Sequence, residues 1–292
     1  MKELGSNRMN NAIYQRFDLG GRTVVITGGG GELCGAMANA LGAMDVKVAV
    51  LDISLEKAET RAQAVIRSGG SALAFACDVL DSVQLRECCE TISAVWGTSD
   101  LLINGAGGND PRGSTSVEFE EPAGEDGPSA QSFFDLDPAG FRHVFDLNFM
   151  GTFLATQVFA RGMVAKGKGS IVNISSMSAF MPLTKVAAYS AAKAAVSNFT
   201  RWLAVHFSQV GIRVNALAPG FFMTEQLRFL HIDSKTGEFL PRARQVIAHT
   251  PMGRYGQPDD LIGTLVWLLS DASSFVTGVV VPVDGGFSSY SI

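Results

Sequence analysis

The chain has 292 residues, of which 47% are hydrophobic and 17% are charged, and its formal net charge is −5. This composition is typical of a globular protein with a large core, and the acidic balance offers no attraction to nucleic acid. The four cysteines lack the spacing of a metal site, so we expect reduced thiols, a cytoplasmic location and no bound metal. No apolar run of about 18 residues occurs, and residues 1–22 do not resemble a targeting peptide, so we expect no membrane contact.

The first elements in chain order predict a nucleotide-binding unit. Residues 23–26 form a β-branched run that indicates a buried strand, and the glycine-rich turn of residues 27–35 follows it. A helical stretch at 36–44 and a second strand at 47–51 come next, and Asp52 ends that strand. Glycines let the backbone approach a pyrophosphate, and the N-terminus of the helix attracts anions, so this βαβ unit predicts a dinucleotide site.

The carboxylate of Asp52 predicts which dinucleotide binds. It suits ribose hydroxyls and would repel a 2′-phosphate, and no Arg or Lys directly follows it, which favours NAD over NADP. The alternative is a strand-end Asp that only caps the next turn.

Strands and helices continue to alternate after Asp52. The further predicted helices are 56–67, 83–96, 141–165, 194–207 and one from Pro258, and the further predicted strands are 72–76, 101–103, 170–174, 212–217 and 279–283. This order predicts one α/β domain of residues 1–292, a Rossmann-type doubly wound parallel sheet with helices on both faces. Ligands should then lie at the carboxyl ends of the strands.

Two segments interrupt this alternation. Residues 109–138 are rich in Pro, Gly and acidic side chains and predict a long inserted loop that contains at most a short hairpin. This loop leaves the carboxyl end of a strand, so it should form a substrate wall or an oligomer contact. Residues 222–252, which are basic, aromatic and irregular in pattern, predict a lid over the substrate.

Four polar residues are candidates for chemistry. Tyr189 and Lys193 are four residues apart in a helical stretch, so their side chains should point into one space. Ser176 ends an apolar run just before them. Asn148 lies inside the predicted helix 141–165, where it indicates either a solvated polar position or a local distortion that frees its side chain for a ligand or water.

In this order, the segments resemble the short-chain dehydrogenase/reductase family over residues 18–288. The matching segments are the glycine-rich turn, Asp78-Val79, residues 104–107, Asn148, Ser176, Tyr189 with Lys193, Pro219-Gly220 with Thr224, and residues 282–286. A closer likeness, to the D-mannonate oxidoreductase (fructuronate reductase) subgroup, rests on residues 104–109, 145–149, 218–226 and 249–254. The resemblance implies an NAD-dependent oxidoreductase for a small molecule, assembled as a homotetramer or homodimer.

The resemblance also implies roles for individual residues. Tyr189 would be the general acid/base, Ser176 would bind the substrate oxygen, with Ser175 as its rival, and Asn148 would hold a relay water. A free Tyr has a pKa of about 10, and a cation at about 4 Å offsets roughly 4 kcal/mol of the cost of ionising it, so Lys193 should supply most of the shift.

The family motifs imply the cofactor contacts. The implied residues are Gly28, Gly30, Gly31, Glu32, Leu33, Asp52, Ile53, Asp78, Val79, Asn104, Gly105, Ala106, Tyr189, Lys193, Pro219, Gly220, Phe222 and Thr224. Glu32 and Cys34 occupy the last two glycine positions of the usual T-G-x-x-x-G-x-G turn, and Gly105 stands where a second Asn is common. The charge of Glu32 near the phosphates further disfavours NADP.

A sugar acid such as D-mannonate or D-fructuronate would need a cation and hydroxyl partners. The candidates are Asn109, Ser178 and Arg228, with Lys185, Arg242 and Arg244 as further cations. The alternatives are another carbonyl substrate (a ketogluconate, a polyol or a 3-ketoacyl group) and a non-catalytic NAD-binding regulatory protein.

Overall fold

The computed structural model describes residues 12–120 and 131–291, and a seven-stranded parallel sheet forms its centre. The strands are β1 (Thr23–Thr27), β2 (Lys47–Asp52), β3 (Ser71–Ala76), β4 (Leu101–Asn104), β5 (Gly169–Ile174), β6 (Ile212–Pro219) and β7 (Val280–Val283). Their order across the sheet is β3-β2-β1-β4-β5-β6-β7. The order therefore reverses between β1 and β4, which opens a crevice at the carboxyl ends of the strands and confirms the predicted Rossmann-type fold.

Helices cover both faces of this sheet. They are α1 (Ala12–Gln15), α2 (Glu32–Gly42), α3 (Leu55–Arg67), α4 (Ser82–Trp96), α5 (Pro138–Phe145), α6 (Gly151–Lys166), α7 (Ala187–His206), α8 (Glu225–His231), α9 (Pro241–His249) and α10 (Ile262–Leu269). Alternate residues of β1 face opposite sides: Val24 and Ile26 join the core layer under α2 and α10, and Val25 joins the layer under α4 and α6. The central strand β1 is thus buried on both faces, as is typical of a parallel sheet, whereas the edge strands β3 and β7 are partly exposed.

The predicted helix 141–165 is interrupted. It begins earlier, at Pro138, where Asp137 caps the first turn, and a π-helical segment at Asp146–Met150 separates α5 from α6. A π segment inserts an extra residue into the helical ladder and is common at functional sites. The local distortion that the sequence suggested around Asn148 is therefore confirmed, but the Asn148 side chain is bonded to backbone groups and is not free.

The expectation of an irregular segment at 222–252 is wrong in one respect, because α8 and α9 lie within it. Thr224 caps α8 through its side chain, and Pro241 occupies the first turn of α9. An antiparallel bridge between Ile232 and Phe239 closes the turn between the two helices. The polar residues of that turn interrupt the apolar periodicity, so the sequence pattern does not indicate the two short helices. We call residues 222–252 the lid segment.

The inserted loop (residues 109–138) contains two short 3-10 turns, Pro111–Gly113 and Phe133–Asp135. Residues 121–130, where much of the suggested hairpin would lie, are outside the described residues. The flanking residues are close together, because Ser116 N–H donates to the Gln131 carbonyl at 2.9 Å. Within residues 12–120 and 131–291, no helix is long and apolar enough to span a bilayer.

Candidate active site

A cleft of about 1210 Å³ lies at the carboxyl ends of the strands. The predicted cofactor-binding residues that line it are Gly28, Gly30, Gly31, Glu32, Leu33, Asp52, Ile53, Asp78, Val79, Gly105, Ala106, Tyr189, Lys193, Gly220, Phe222 and Thr224. Typical small-ligand pockets are at most about 1,000 Å³, so this cleft suits an extended molecule such as a dinucleotide.

The glycine-rich turn lies in the middle of one wall. Gly28 has a φ of +63°, and a Cβ there would lie 2.7 Å from the Cα of Ala106, so this position requires glycine. The helix α2 begins directly after Gly31, which supplies no side-chain cap. Its first N–H groups are therefore available to an anion, and the turn fits the pyrophosphate of NAD.

Asp52 lines the cleft and also caps the turn that follows it, so both of its proposed roles are compatible with its position. Its carboxylate lines the cleft, and it also accepts hydrogen bonds from Gly30 N–H and Ser54 N–H, each at 3.0 Å. Lys57 and Arg61, one turn apart on α3, line the cleft beside it, and Arg61 Nε donates to the Gly30 carbonyl at 3.4 Å. Lys57 and Arg61 are separated from Asp52 in the sequence, so the residue that directly follows Asp52 does not indicate their presence.

Two predicted cofactor contacts need correction. The Asn104 side chain lies in the core, where Nδ2 donates to Thr156 Oγ1 (2.9 Å) and Asn173 Oδ1 (2.8 Å), so it ties β4 to β5 and α6. Pro219 is buried at the end of β6 and is not among the residues that line the cleft. The cleft is lined instead by their neighbours Gly105 and Gly220.

Two of the departures from the family pattern, Cys34 and Gly105, lie next to each other, and the small size of one makes room for the side chain of the other. A Cβ at position 105 would overlap the Sγ of Cys34, so the glycine there makes room for the cysteine. Burial raises the pKa of the Cys34 thiol to about 12, which keeps it protonated at neutral pH. Cys34 therefore acts as a small apolar side chain beneath the turn.

Helix α7 brings Tyr189 and Lys193 together as expected. The Nζ of Lys193 lies 5.6 Å from the centre of the Tyr189 ring. Ser176 follows the end of β5 by two residues, and its interaction with the Tyr189 hydroxyl lowers the pKa of that hydroxyl. Its rival Ser175 faces the core instead, where its hydroxyl donates to the Lys193 carbonyl (3.2 Å) and lies 2.6 Å from Ser197 Oγ. The geometry therefore favours Ser176.

Asn148 is fully buried, so the interpretation as a solvated polar residue is wrong. Its Nδ2 donates to the carbonyls of Gly108 (2.7 Å) and Val144 (2.8 Å), and its Oδ1 accepts from Gly108 N–H at 3.3 Å. A Cβ at Gly107 would lie 2.5 Å from Asn148 Oδ1 and 3.2 Å from Lys193 Nζ. The segment after β4 therefore packs directly against both groups.

The protonation of the Tyr–Lys pair differs from the simple electrostatic expectation. Burial raises the pKa of Tyr189, and the Ser176 hydrogen bond offsets part of this rise. Burial also lowers the pKa of Lys193 to about 8, and its ammonium donates to the Ile174 carbonyl at 2.7 Å. The effect of burial outweighs that of the Ser176 hydrogen bond, so at neutral pH Tyr189 is a neutral acid beside the cation of Lys193.

The predicted substrate residues are not brought into one cluster. Asn109 Nδ2 donates to Ser114 Oγ at 2.9 Å within the inserted loop, and Arg228 is exposed on α8. Ser178 is buried, and its Oγ has no hydrogen-bond partner among the residues described. Their roles stay predictions.

Arg242 occupies a more central position than these candidates. From α9, its guanidinium pairs with Glu118 of the inserted loop at 2.6 Å and lies 3.4 Å from the hydroxyl of Thr184. Thr184 belongs to the loop that leads to Tyr189. Arg242 thus joins the lid segment to the inserted loop and to the loop that precedes Tyr189.

Comparisons with known proteins agree with this geometry. A family model described as enoyl-(acyl carrier protein) reductase matches residues 33–288. The chain is 52% identical to an uncharacterized oxidoreductase, UxuB, of Bacillus subtilis (strain 168), over 94% of this chain and 97% of that one. It is also similar to a solved NAD-bound structure from Haemophilus influenzae, described as a proposed D-mannonate oxidoreductase, with 47% identity, a TM-score of 0.88 and coverage of 94% and 97%.

A more distant structure, with 31% identity and a TM-score of 0.80, is a gluconate 5-dehydrogenase from Burkholderia cenocepacia J2315 in complex with NADP and tartrate; the match covers 96% of this chain and 100% of that one. The shared sheet, the nucleotide cleft and these similarities lead to one conclusion. The chain belongs to the short-chain dehydrogenase/reductase family and is an NAD-dependent oxidoreductase.

Proposed function

We propose that this enzyme interconverts the secondary alcohol of a sugar acid and the corresponding ketone, with D-mannonate and D-fructuronate as the first pair to test. The observation that carries the substrate class is the 47% identity to the NAD-bound Haemophilus structure. The Burkholderia gluconate 5-dehydrogenase makes gluconate the second candidate.

In the proposed reaction Tyr189 is the acid/base. Its hydroxyl gives a proton to the carbonyl oxygen during reduction and takes one from the alcohol during oxidation. Ser176 orients the same substrate oxygen, and Lys193 stabilises the phenolate that forms. Asn148 holds the segment after β4 against Lys193. The bound cofactor would donate hydride as NADH during reduction and accept it as NAD during oxidation, and its oxidised form would carry a positive charge.

A sugar acid also carries a carboxylate, which needs a cation. We propose Arg242 for this role, because its contacts with Glu118 and Thr184 support a position where the lid segment meets the inserted loop and the loop that precedes Tyr189. Arg228 on α8 is the alternative, and Asn109 and Ser178 remain candidates for the hydroxyls.

The test compares sugar acids with an uncharged analogue. D-Mannonate, D-gluconate and mannitol are each oxidised with NAD, and NADH absorbance is followed. We expect kcat/KM for a sugar acid to exceed that for mannitol by at least about 100-fold. The Arg242→Gln variant should lose about tenfold or more of this preference and leave mannitol oxidation unchanged.

Two outcomes would contradict the proposal. A preference for mannitol or for a 3-ketoacyl substrate would favour another carbonyl substrate. Tight NADH binding without turnover of any substrate would favour a non-catalytic regulatory protein.

We also propose that the enzyme assembles as a homotetramer or homodimer through α6 and α7. On α7, Trp202 stacks on Phe199 (ring centres 6.0 Å apart) and on His206 (4.6 Å). Trp202 is nevertheless 55% exposed, and Val205 is 76% exposed. Exposed aromatic and apolar side chains on one helix face support a subunit contact.

The organisation as one domain and the cytoplasmic location also stay proposals. The four cysteines are unpaired thiols, which supports a reducing compartment.

A further inference from the structure

We propose that Glu32 is a positioning residue that fastens the lid segment to the glycine-rich turn and thereby sets the rate at which NADH leaves. Its Oε2 accepts a hydrogen bond from the backbone N–H of Glu225 at 2.7 Å. We call this contact the latch. The inference uses only NAD binding and does not depend on which substrate the enzyme oxidises.

The latch joins opposite walls of the cofactor cleft. Glu32 and Leu33 line the cleft from the glycine-rich turn, whereas Thr224, Glu225 and Leu227 line it from the lid segment. Asp52 and Tyr189 line the same cleft. A dinucleotide that reaches from Asp52 to Tyr189 must pass the turn with its pyrophosphate, so the latch lies over the middle of the bound cofactor.

The latch is a property of this chain rather than of the family turn. Glu32 stands where the family usually has glycine, and glycine has no side chain to reach the lid segment. The backbone N–H of Glu225, which is the donor of the latch, lies at the start of α8. The Thr224 hydroxyl fixes this end of the helix, because it accepts from Leu227 N–H at 3.3 Å. A carboxylate that accepts from a backbone N–H makes a stronger bond than a neutral acceptor.

The lid segment has a second attachment, and it lies on the substrate side. Arg242 of α9 pairs with Glu118 and contacts Thr184, both outside the nucleotide-binding half. The two attachments are on different helices, α8 and α9. Opening the latch should therefore release the cofactor side of the lid segment without breaking the contacts on the substrate side.

The test measures NADH dissociation by stopped-flow fluorescence, with excess NAD as the trap and no substrate present. Glu32→Ala removes the acceptor, and we expect dissociation about tenfold faster than in the wild type. Glu32→Gln keeps an amide oxygen that can accept the same bond, so we expect only about a twofold increase. Glu59→Ala, which removes an exposed carboxylate on α3, is the charge control and should leave the rate unchanged.

A second variant removes the donor instead of the acceptor. Glu225 is the first residue of α8, where proline is tolerated, and Thr224 before it is extended, as a residue preceding proline should be. Glu225→Pro lacks the N–H and should match Glu32→Ala. The double variant should dissociate NADH no faster than either single variant, since both break one bond.

Three results would overturn the proposal: a wild-type rate in Glu32→Ala, equal rates in Glu32→Gln and Glu32→Ala with no effect of Glu225→Pro, or additive effects in the double variant. The second result would show that the charge of Glu32 acts directly on the pyrophosphate. Thermal unfolding of each variant reports on its fold, and the donor and acceptor variants are independent, so a folding defect in one leaves the other to decide.

Discussion

Replacing Lys193 by methionine should make the protein more stable while it abolishes catalysis. Lys193 is 4% exposed, and burial lowers its pKa from 10.5 to about 8. At about 1.4 kcal/mol per pKa unit, the charged form destabilises the folded protein by about 3 kcal/mol. Methionine has a similar length without the charge, but it cannot donate to the Ile174 carbonyl, which costs about 1 kcal/mol. The net gain at pH 7 should be about 2 kcal/mol, or roughly 3 °C in Tm for a chain of 292 residues.

The pH dependence tests the cause of this gain. Below pH 8 the lysine is charged in both the folded and the unfolded protein, so the full penalty applies. Between pH 8 and 10.5 the folded protein loses the proton while the unfolded chain keeps it, so wild-type stability gains from this group as the pH rises. The advantage of Lys193→Met should therefore shrink as the pH is raised through this window.

Urea unfolding at pH 7 and pH 10, without cofactor, measures both effects. Lys235→Met serves as the matched control, because Lys235 is exposed, and the variant should equal the wild type at each pH. A Lys193→Met variant that is less stable than the wild type at pH 7, or whose advantage is the same at both pH values, would show that burial of the Lys193 charge does not destabilise the folded protein.

Three further predictions concern packing, chemistry and assembly. Gly105→Ala should cost about 2 kcal/mol through overlap with the Cys34 Sγ and a 2.9 Å approach to the Thr27 carbonyl oxygen, and Cys34→Ala should restore part of that loss in the double variant, as measured by urea unfolding; an additive loss would contradict the contact. Tyr189→Phe should lower kcat by about 10³-fold and Ser176→Ala by about tenfold, with NADH affinity within about twofold of the wild type; wild-type turnover by Tyr189→Phe would refute the proposed acid/base. Trp202→Glu should weaken subunit association by at least about 30-fold in sedimentation equilibrium, and a wild-type monomer would refute the assembly.

Local patterns account for the parts of the fold that the sequence predicts well. The β1–α2–β2 unit was recognisable because a β-branched run, a glycine-rich turn and Asp52 follow one another within a short stretch. The pairing of Tyr189 with Lys193 was recognisable because their spacing matches one helical turn. The helix α2 nonetheless begins at Glu32 rather than at residue 36, because Gly35 lies inside the helix, where it permits close packing against Arg61.

Contacts between distant segments account for what the sequence could not show. Cys34 and Gly105 each look like a departure from the family, and only the packing of the turn against the end of β4 shows that they compensate. The contact of Glu32 with Glu225 joins residues 193 positions apart, so no local pattern indicates it. The core position of Asn104 likewise depends on its neighbours in β5 and α6.

The same burial explains both the chemistry of the site and its cost in stability. At neutral pH the raised pKa of Tyr189 keeps its proton, and a Lys193 pKa of about 8 keeps most of the ammonium charged. An acid beside a cation is the arrangement that proton donation to a ketone requires, since the phenolate forms next to a positive charge. Oxidation of the alcohol needs Tyr189 in its deprotonated form, and burial disfavours that form in the protein without cofactor. The residues alone therefore favour the protonated phenol, and the positive charge of oxidised NAD would add to that of Lys193 in stabilising the phenolate that oxidation needs.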